Sequence, residues 1–261
     1  MKVTILNPEV LENLYENHGK FACVCYGTDE SKAKGVGKHC EKNGHMSGSR
    51  CEYIKFKIEG IDRGTAEQAL RHEVGVHVPY DMMDNYNFTD WMDRVYNINP
   101  DEIVKNMASF RYIDKTGFNF ITPSQILKNS QARLLYEYVM SVIGMYREEI
   151  IKQLVAGGAS EKEANEEANF LLPRATATDF VIGLTPEALI RFCHKRLCVR
   201  AQEQIRKLAK LMKEEVEKLN PQFAEELVPH CVHLLWCPEG KQSCGRYPSR
   251  EQLSALVNMK K

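Results

Sequence analysis

Apolar and polar residues alternate most regularly over Cys51–Gly60, where Ile54, Phe56 and Ile58 fall on one side and Tyr53, Lys55 and Lys57 on the other. A period of two is that of a half-buried strand. Residues 2–6, KVTIL, read as an edge strand. Residues 8–19 read as a helix closed by Gly19, and residues 21–27, FACVCYG, as a second strand. The Lys- and Gly-rich stretch up to His45 gives no firm element. Thr65 is placed to cap a helix through Ala66, Ala69 and Leu70. Residues 76–106 are rich in Asp, Asn and aromatics and broken by Pro79 and Pro100, so they read as an excursion with short helical turns. Residues 109–118 return to a strand that ends in a Thr-Gly turn.

Beyond Ser124 the period becomes helical. Leu134, Leu135, Tyr138, Val142, Ile143, Tyr146 and Ile150 recur at three- and four-residue intervals, up to Gly157-Gly158. Ser160 and Glu163 form a capping box for a shorter helix to about Phe170. Thr185-Pro186-Glu187 starts another, with a hydroxyl cap, proline at the first position and an acid in the first turn. The pattern lets that helix run to Leu219, where Asn220-Pro221 stops it. No repeat or linker interrupts the chain. It reads as one α/β domain over 1–261, with an insertion at about 76–106, a helix-rich second half and a Cys-rich tail at 229–249.

With 261 residues, 43% of them hydrophobic, the chain is long enough to bury a sizeable core. A formal net charge of zero gives no global attraction to nucleic acid or to an anionic membrane, so any bound anion must be held by a local group of arginines. No apolar run has the length of a membrane span and the N-terminus carries no secretion pattern, so a cytoplasmic location is expected. Nine cysteines in such a chain are expected to be reduced thiols.

Three stretches carry candidate chemistry: GHMSGSRCEYIKFKI at 44–58, QALRHE with SFRYI across 68–113, and FLLPRATATDFVIGLTPEALIRFCHKRLCVRAQEQIR at 170–206. In order, residue type and spacing they resemble the flavin-dependent thymidylate synthases (the ThyX family) from about residue 20 to residue 215. The resemblance implies a largely antiparallel central sheet flanked by helices, a homotetramer whose sites are shared between subunits, and FAD as cofactor. It implies conversion of dUMP to dTMP with methylenetetrahydrofolate as carbon donor and NADPH as reductant. Flavin does the hydride and carbon chemistry in such enzymes, leaving orientation and electrostatics to the protein. The matching positions imply nucleotide contacts from Gln68, Arg71, Ser109 and Arg111, and an arginine against the pyrimidine, Arg196, as the catalytic group. His45, Ser47, Arg71 and His72 match flavin-contacting positions.

Several signature positions differ. Glu73 replaces an arginine, and Asn169 stands where the family has a phosphate-binding arginine. Thr185 and Glu187 stand where Asn and Arg meet the flavin, Arg191 replaces an Asn, and Arg200 replaces a His. Positions 187 and 191 are i and i+4, so Glu187 and Arg191 are expected to pair. Glu73 is expected either to find an arginine too, Arg191 or Arg200 across a subunit boundary, or to point to water. The substitutions leave two rival functions open: a flavin-dependent C5-methylase or hydroxymethylase of another uridine nucleotide, and a flavin- or nucleotide-binding protein without turnover. Cys231, Cys237 and Cys244, with His230 and His233 near them, are the strongest metal candidate, since three thiols and an imidazole suit tetrahedral zinc. They lack a tight Cys-x-x-Cys pair, and no metal is assigned from the sequence.

Overall fold

The computed structural model describes residues 1–45, 47–70, 103–107 and 118–258. It is mixed α/β with a largely antiparallel sheet. Four strands, β1 (Lys2–Ile5), β2 (Ile54–Asp62), β3 (Ile103–Met107) and β4 (Ala177–Leu184), lie in the order β1-β2-β4-β3. β1 is therefore an edge strand, as its short sequence predicts. β2 keeps the predicted alternation, with Ile54, Phe56 and Ile58 fully buried and Lys55 and Lys57 exposed. β3 falls inside the stretch read as an excursion and corrects that reading for its last residues. The candidate strand at 109–118 lies outside the described residues except for Phe118.

Contacts group the chain into two compact units. One contains Met1–Lys2, Ile58–Leu70 and the described residues of 106–181; the other contains Val3–Lys57, residues 103–105 and the described residues from Ile182 onward. The first unit carries α4 (Arg63–Leu70), α5 (Ser124–Leu127), α6 (Ser130–Ala156) and α7 (Glu161–Ala168). Asp62 starts α4 by accepting from the Thr65 amide at 2.8 Å, so the capping oxygen is one turn earlier than the predicted Thr65 hydroxyl. Ser160 and Glu163 form the predicted capping box of α7. α6 spans the predicted periodic residues, but only Met140 and Arg147 along it are buried. Leu134, Leu135 and Tyr138 remain 67, 67 and 68% exposed.

The second unit begins with α1 (Pro8–Glu12) and α2 (Leu14–Tyr26), so the predicted strand at 21–27 is the last half of a helix. Its burial is helical in period: Leu14, Tyr15, His18, Gly19, Ala22 and Cys23 face inward, while Phe21, Val24 and Tyr26 are exposed. β-branched and aromatic composition suggested a strand there, and packing overrides it. Gly19 does not end a helix. It lies inside α2 against α3 (Ala33–Lys42), where a Cβ would come within 1.7 Å of the Ala33 carbonyl oxygen. Gly37 of α3 is in the same position toward the Tyr15 carbonyl, at 1.8 Å. Two backbones this close leave room for hydrogen only.

The predicted helix from Thr185 to Leu219 is broken into α8 (Pro186–Arg196) and α9 (Glu203–Leu219). Thr185 caps α8 through the Ala188 amide at 3.2 Å, and Gln202 caps α9 through the Ile205 amide at 3.2 Å. Arg206 holds the intervening turn by donating to the Val199 carbonyl at 2.7 Å. Phe192 and Cys193 of α8, and Leu208, Met212 and Val216 of α9, are fully buried in this unit. After α9 come α10 (Pro221–Ala224), α11 (His230–Leu234) and α12 (Arg250–Asn258). Asn220 ties this region back to α1, donating to the Leu11 carbonyl at 2.9 Å while capping Phe223 at 3.0 Å. No helix among the described residues is long and apolar enough to cross a membrane.

One buried acid sets a pH dependence. Neither carboxyl oxygen of Glu41 has a hydrogen-bond partner among the described residues. Burial first, and Glu226 second, raise its pKa from 4.5 to about 7. The nearby Tyr15 phenol is raised as well, by burial and then by Glu41, Glu226 and Glu225. A raised carboxyl contributes stability that is complete below the unfolded pKa and lost as pH rises through the folded one. Between about pH 5 and about pH 8 the protein should lose on the order of 1–2 kcal/mol that Glu41→Gln retains. Denaturant unfolding of both proteins at the two pH values checks this; equal pH slopes would rule Glu41 out as the source.

Candidate functional site

The candidate residues within the described chain lie on two sets of elements, one in each unit. In the second unit, the turn Ser47–Cys51 packs against α2 and α8. Gly48 lies over His18, where a Cβ would meet the imidazole Cδ2 at 2.5 Å. His18, 2% exposed, points Nε2 at the His45 carbonyl at 2.9 Å. A carbonyl only accepts, so Nε2 carries the proton in this contact. Burial pulls the His18 pKa down, and the carbonyl contact opposes it. His45 itself is exposed and lines an open pocket with Tyr26, Lys32, Val36 and His39. Nothing in the sequence pattern singled out His18.

Arg50, from the same turn, reaches the start of α8. Its Nε donates to Glu187 Oε2 at 2.6 Å, and Arg191 pairs with the other oxygen from one turn along the helix. The predicted Glu187–Arg191 pair is therefore present, with a second arginine added that the sequence reading missed. Glu187 is 13% exposed at its side chain, too little for an unpaired charge. Two guanidiniums on one carboxylate leave this cluster cationic. Thr185 is 1% exposed and uses its hydroxyl in the α8 cap, so the structure gives that side chain a local role.

Arg196 ends α8. It is half-buried, its Nε has no hydrogen-bond partner among the described residues, and burial lowers its pKa. His194, two residues earlier, stacks on His230 at 5.0 Å and meets His233 at 4.9 Å. Burial, then His230, His233 and Arg191, lower the His194 pKa to about 4, so this imidazole is neutral at ordinary pH. Arg200 is past the helix break and donates to the Ser243 carbonyl at 3.0 Å. Arg196 and Arg200 thus do not share one continuous helix.

In the first unit, Gln68 lies part-buried on α4. The start of α4 is joined to the segment after Pro173: the Arg63 amide donates to the Thr176 carbonyl at 3.0 Å, and Gly64 to Arg174 at 3.1 Å. Glu67 meets Arg63 at 3.4 Å and Arg174 at 3.6 Å. Asn169 has an unexpected neighbour. Arg147 of α6, 1% exposed, donates Nε and Nη2 to Asn169 Oδ1 at 3.1 and 2.9 Å, and Nη2 also to Asn165 Oδ1 at 2.9 Å. A guanidinium only donates, so the Asn169 oxygen must face it and the amide nitrogen is turned away. A guanidinium therefore lies behind the asparagine that replaces one. Arg147 follows Tyr146 within the apolar repeat of α6, and a lone arginine in such a repeat was the only signal for it.

Arg71, His72, Glu73, Ser109 and Arg111 lie outside the described residues. Of the two arginines expected to meet Glu73, Arg191 faces Glu187 and Arg200 faces the Ser243 carbonyl. For Ser47 only its place in the turn is described. No group of three or more His, Cys, Asp or Glu side chains among the described residues stands at metal-ligand spacing.

An antiparallel sheet with many helices agrees with what comparison shows. Residues 15–222 match the family described as thymidylate synthase complementing protein, and the chain belongs to that family. It is 29% identical to the flavin-dependent thymidylate synthase of Nitratidesulfovibrio vulgaris, over 81% of this chain and 76% of that protein. It is 26% identical to the protein of that name from Clostridium tetani, over 78 and 73% of the two chains. The flavin-dependent thymidylate synthase of Thermococcus onnurineus is 29% identical, over 76 and 69%.

The Arg147–Asn169 pair gives a direct test of relocated charge. Asn169→Arg restores the residue that the resemblance implies, yet it removes an acceptor from a buried guanidinium and brings a second cation to it. It should destabilise the fold by about 2 kcal/mol or more, with recovery in the swap Arg147→Asn/Asn169→Arg. Thermal and denaturant unfolding of the three proteins measures it. A neutral Asn169→Arg would mean that the two positions are independent.

Proposed function

We propose that this chain is a flavin-dependent thymidylate synthase that converts dUMP to dTMP, with methylenetetrahydrofolate as carbon donor and NADPH as reductant. Family membership over residues 15–222 is the observation that carries the reading. The residues fit an anionic cofactor such as FAD: Arg50 and Arg191 together outweigh Glu187, leaving a net positive charge of the kind that suits a pyrophosphate. Arg50, Arg191, His45 and Ser47, with Arg71 and His72, are the groups proposed to hold it, while Thr185 and Glu187 shape the site through the helix cap and the ion pairs. Bound FAD supplies the hydride and carbon-transfer chemistry.

The chain's own residues bind and polarise the nucleotide. Gln68, Ser109, Arg111 and Arg71 are assigned to dUMP, with Asn169 presenting an amide donor oriented by Arg147. Arg196 is assigned to the pyrimidine. A half-buried guanidinium with an unpaired Nε suits a ring oxygen that gains negative charge as C5 becomes nucleophilic, because fixed positive charge is most effective where water is excluded. The exposed apolar residues of α6 support assembly with further copies of the chain, consistent with a homotetramer in the cytoplasm. Asn169 in place of an arginine favours one second reading, a C5-methylase or hydroxymethylase of a different uridine nucleotide.

Two measurements test the proposal. The purified chain should bind FAD and release tritium from dUMP labelled at C5, with dTMP formed only when methylenetetrahydrofolate and NADPH are present. Labelled dUMP left intact beside turnover of another uridine nucleotide would favour the second reading, and no flavin binding would remove both. Arg196→Ala should lower kcat by roughly a hundredfold with a smaller change in KM, as expected for a group that acts mainly in the transition state. A change confined to KM would assign Arg196 to binding alone.

A further inference from the structure

The segment that carries His45, Ser47 and Arg50 is gripped at its two ends by consecutive residues of α2. Asn17 donates Nδ2 to Glu52 Oε1 at 2.8 Å, and His18 meets the His45 carbonyl from Nε2 at 2.9 Å. His45 is held from its other side as well. Its amide donates to the Cys40 carbonyl at 2.8 Å, just past Gly44, which takes φ 73° to end α3. Both backbone polar groups of His45 are therefore fixed, while its exposed ring lines the open pocket with Tyr26, Lys32, Val36 and His39. Three residues on, Gly48 lies against the His18 ring with room for hydrogen only. Arg50 follows it and meets Glu187.

Histidine is a costly choice at position 18 if packing is its only task. The side chain is buried, and its one proton is committed to the His45 carbonyl. Nδ1 is then a bare acceptor, and among the described residues nothing donates to it. A buried nitrogen left unsatisfied destabilises a fold, and an apolar side chain of similar size avoids that loss. What the imidazole supplies in return is a rigid N–H aimed at one carbonyl. Released from that donor, the His45 carbonyl has to turn toward water, and the planar peptide unit that it belongs to turns with it.

We propose that His18 is a positioning residue for the flavin site: its Nε2–H fixes the His45 backbone and so the direction of the His45 ring, and its ring seats the turn that brings Arg50 to Glu187. The inference rests on the flavin reading above for what His45 contacts. The hold itself is independent of any ligand. His18 is 2% exposed and has almost no surface to offer a cofactor or substrate, so it acts only through His45 and the turn. One buried side chain of α2 thereby sets two candidate groups that lie five residues apart, His45 toward the pocket and Arg50 toward α8.

The test follows the whole chain by two readouts, NMR of ring-labelled histidine without flavin and titration with FAD. The chain has eight histidines, few enough for the His45 signals to be identified by their loss in His45→Gln. His18→Leu keeps bulk and removes the donor. It should move the His45 ring signals and raise the Kd for FAD about tenfold, the loss of one hydrogen bond's worth of positioning. His18→Gln places an amide nitrogen within reach of the same carbonyl and should keep both readouts near wild type. Gly48→Ala presses on the ring from the turn and should act like His18→Leu, so it decides if His18→Leu does not fold. Unmoved His45 signals in His18→Leu would overturn the proposal, as would equal losses in His18→Gln, which would make ring shape and not the donor the cause. Moved His45 signals with unchanged FAD affinity would overturn the role at the flavin site. Wild-type chain that binds no FAD would remove the flavin reading, and the His45 signals would then decide the hold alone.

Discussion

Glu187 is the charge around which one face of the second unit is arranged. Its carboxylate is mostly buried in the first turn of α8, where the helix dipole favours an anion, but the dipole alone does not repay desolvation. Arg191 reaches it from the next turn and Arg50 from a segment far away in sequence. The local pair stabilises the helix, and the long-range pair fixes where the Ser47–Cys51 turn sits against it. Glu187, where the resemblance implies arginine, therefore has a structural role: it is the acceptor that holds two arginines in place.

The same exchange recurs at Asn169 in the first unit. The signature arginine is missing from the chain position and a guanidinium is present in space, supplied by Arg147 from α6. In both places an arginine from another element meets a polar side chain at a position where the resemblance implies arginine. The first and third signature stretches meet through the Arg50 and Glu187 side chains, and the start of α4, just before the second stretch, meets the third where the Arg63 and Gly64 amides pair with the Thr176 and Arg174 carbonyls.

Local signals were legible where chemistry is local. The alternation of β2, the proline-led start of α8 with its Thr185 cap and the Ser160–Glu163 capping box were all readable, because each depends on residues within a turn or two. Residues 21–27 misled for the opposite reason: their aromatic and β-branched content suits a strand, and only the burial of Tyr15, His18, Gly19 and Ala22 against α3 makes them helical. Gly19 reads as a stop in sequence and is a packing contact in space. The break at 197–201 was hidden because Gln202 is a less usual cap than Ser, Thr, Asp or Asn. Arg50, Arg147 and His18 could not be found from spacing at all, since each acts on a partner that only the fold brings near.

The apolar face of α6 has a consequence for how the chain behaves before any chemistry begins. Leu134, Leu135, Tyr138 and Tyr146 are wet in the single chain. A surface of that kind is adhesive, and under the proposed assembly the free energy recovered when like chains cover it would enter the folding equilibrium as a mass-action term. Resistance to unfolding would then be a property of concentration as well as of sequence. Dilution would act as a denaturing condition, hardest on a newly made chain while its kind is scarce.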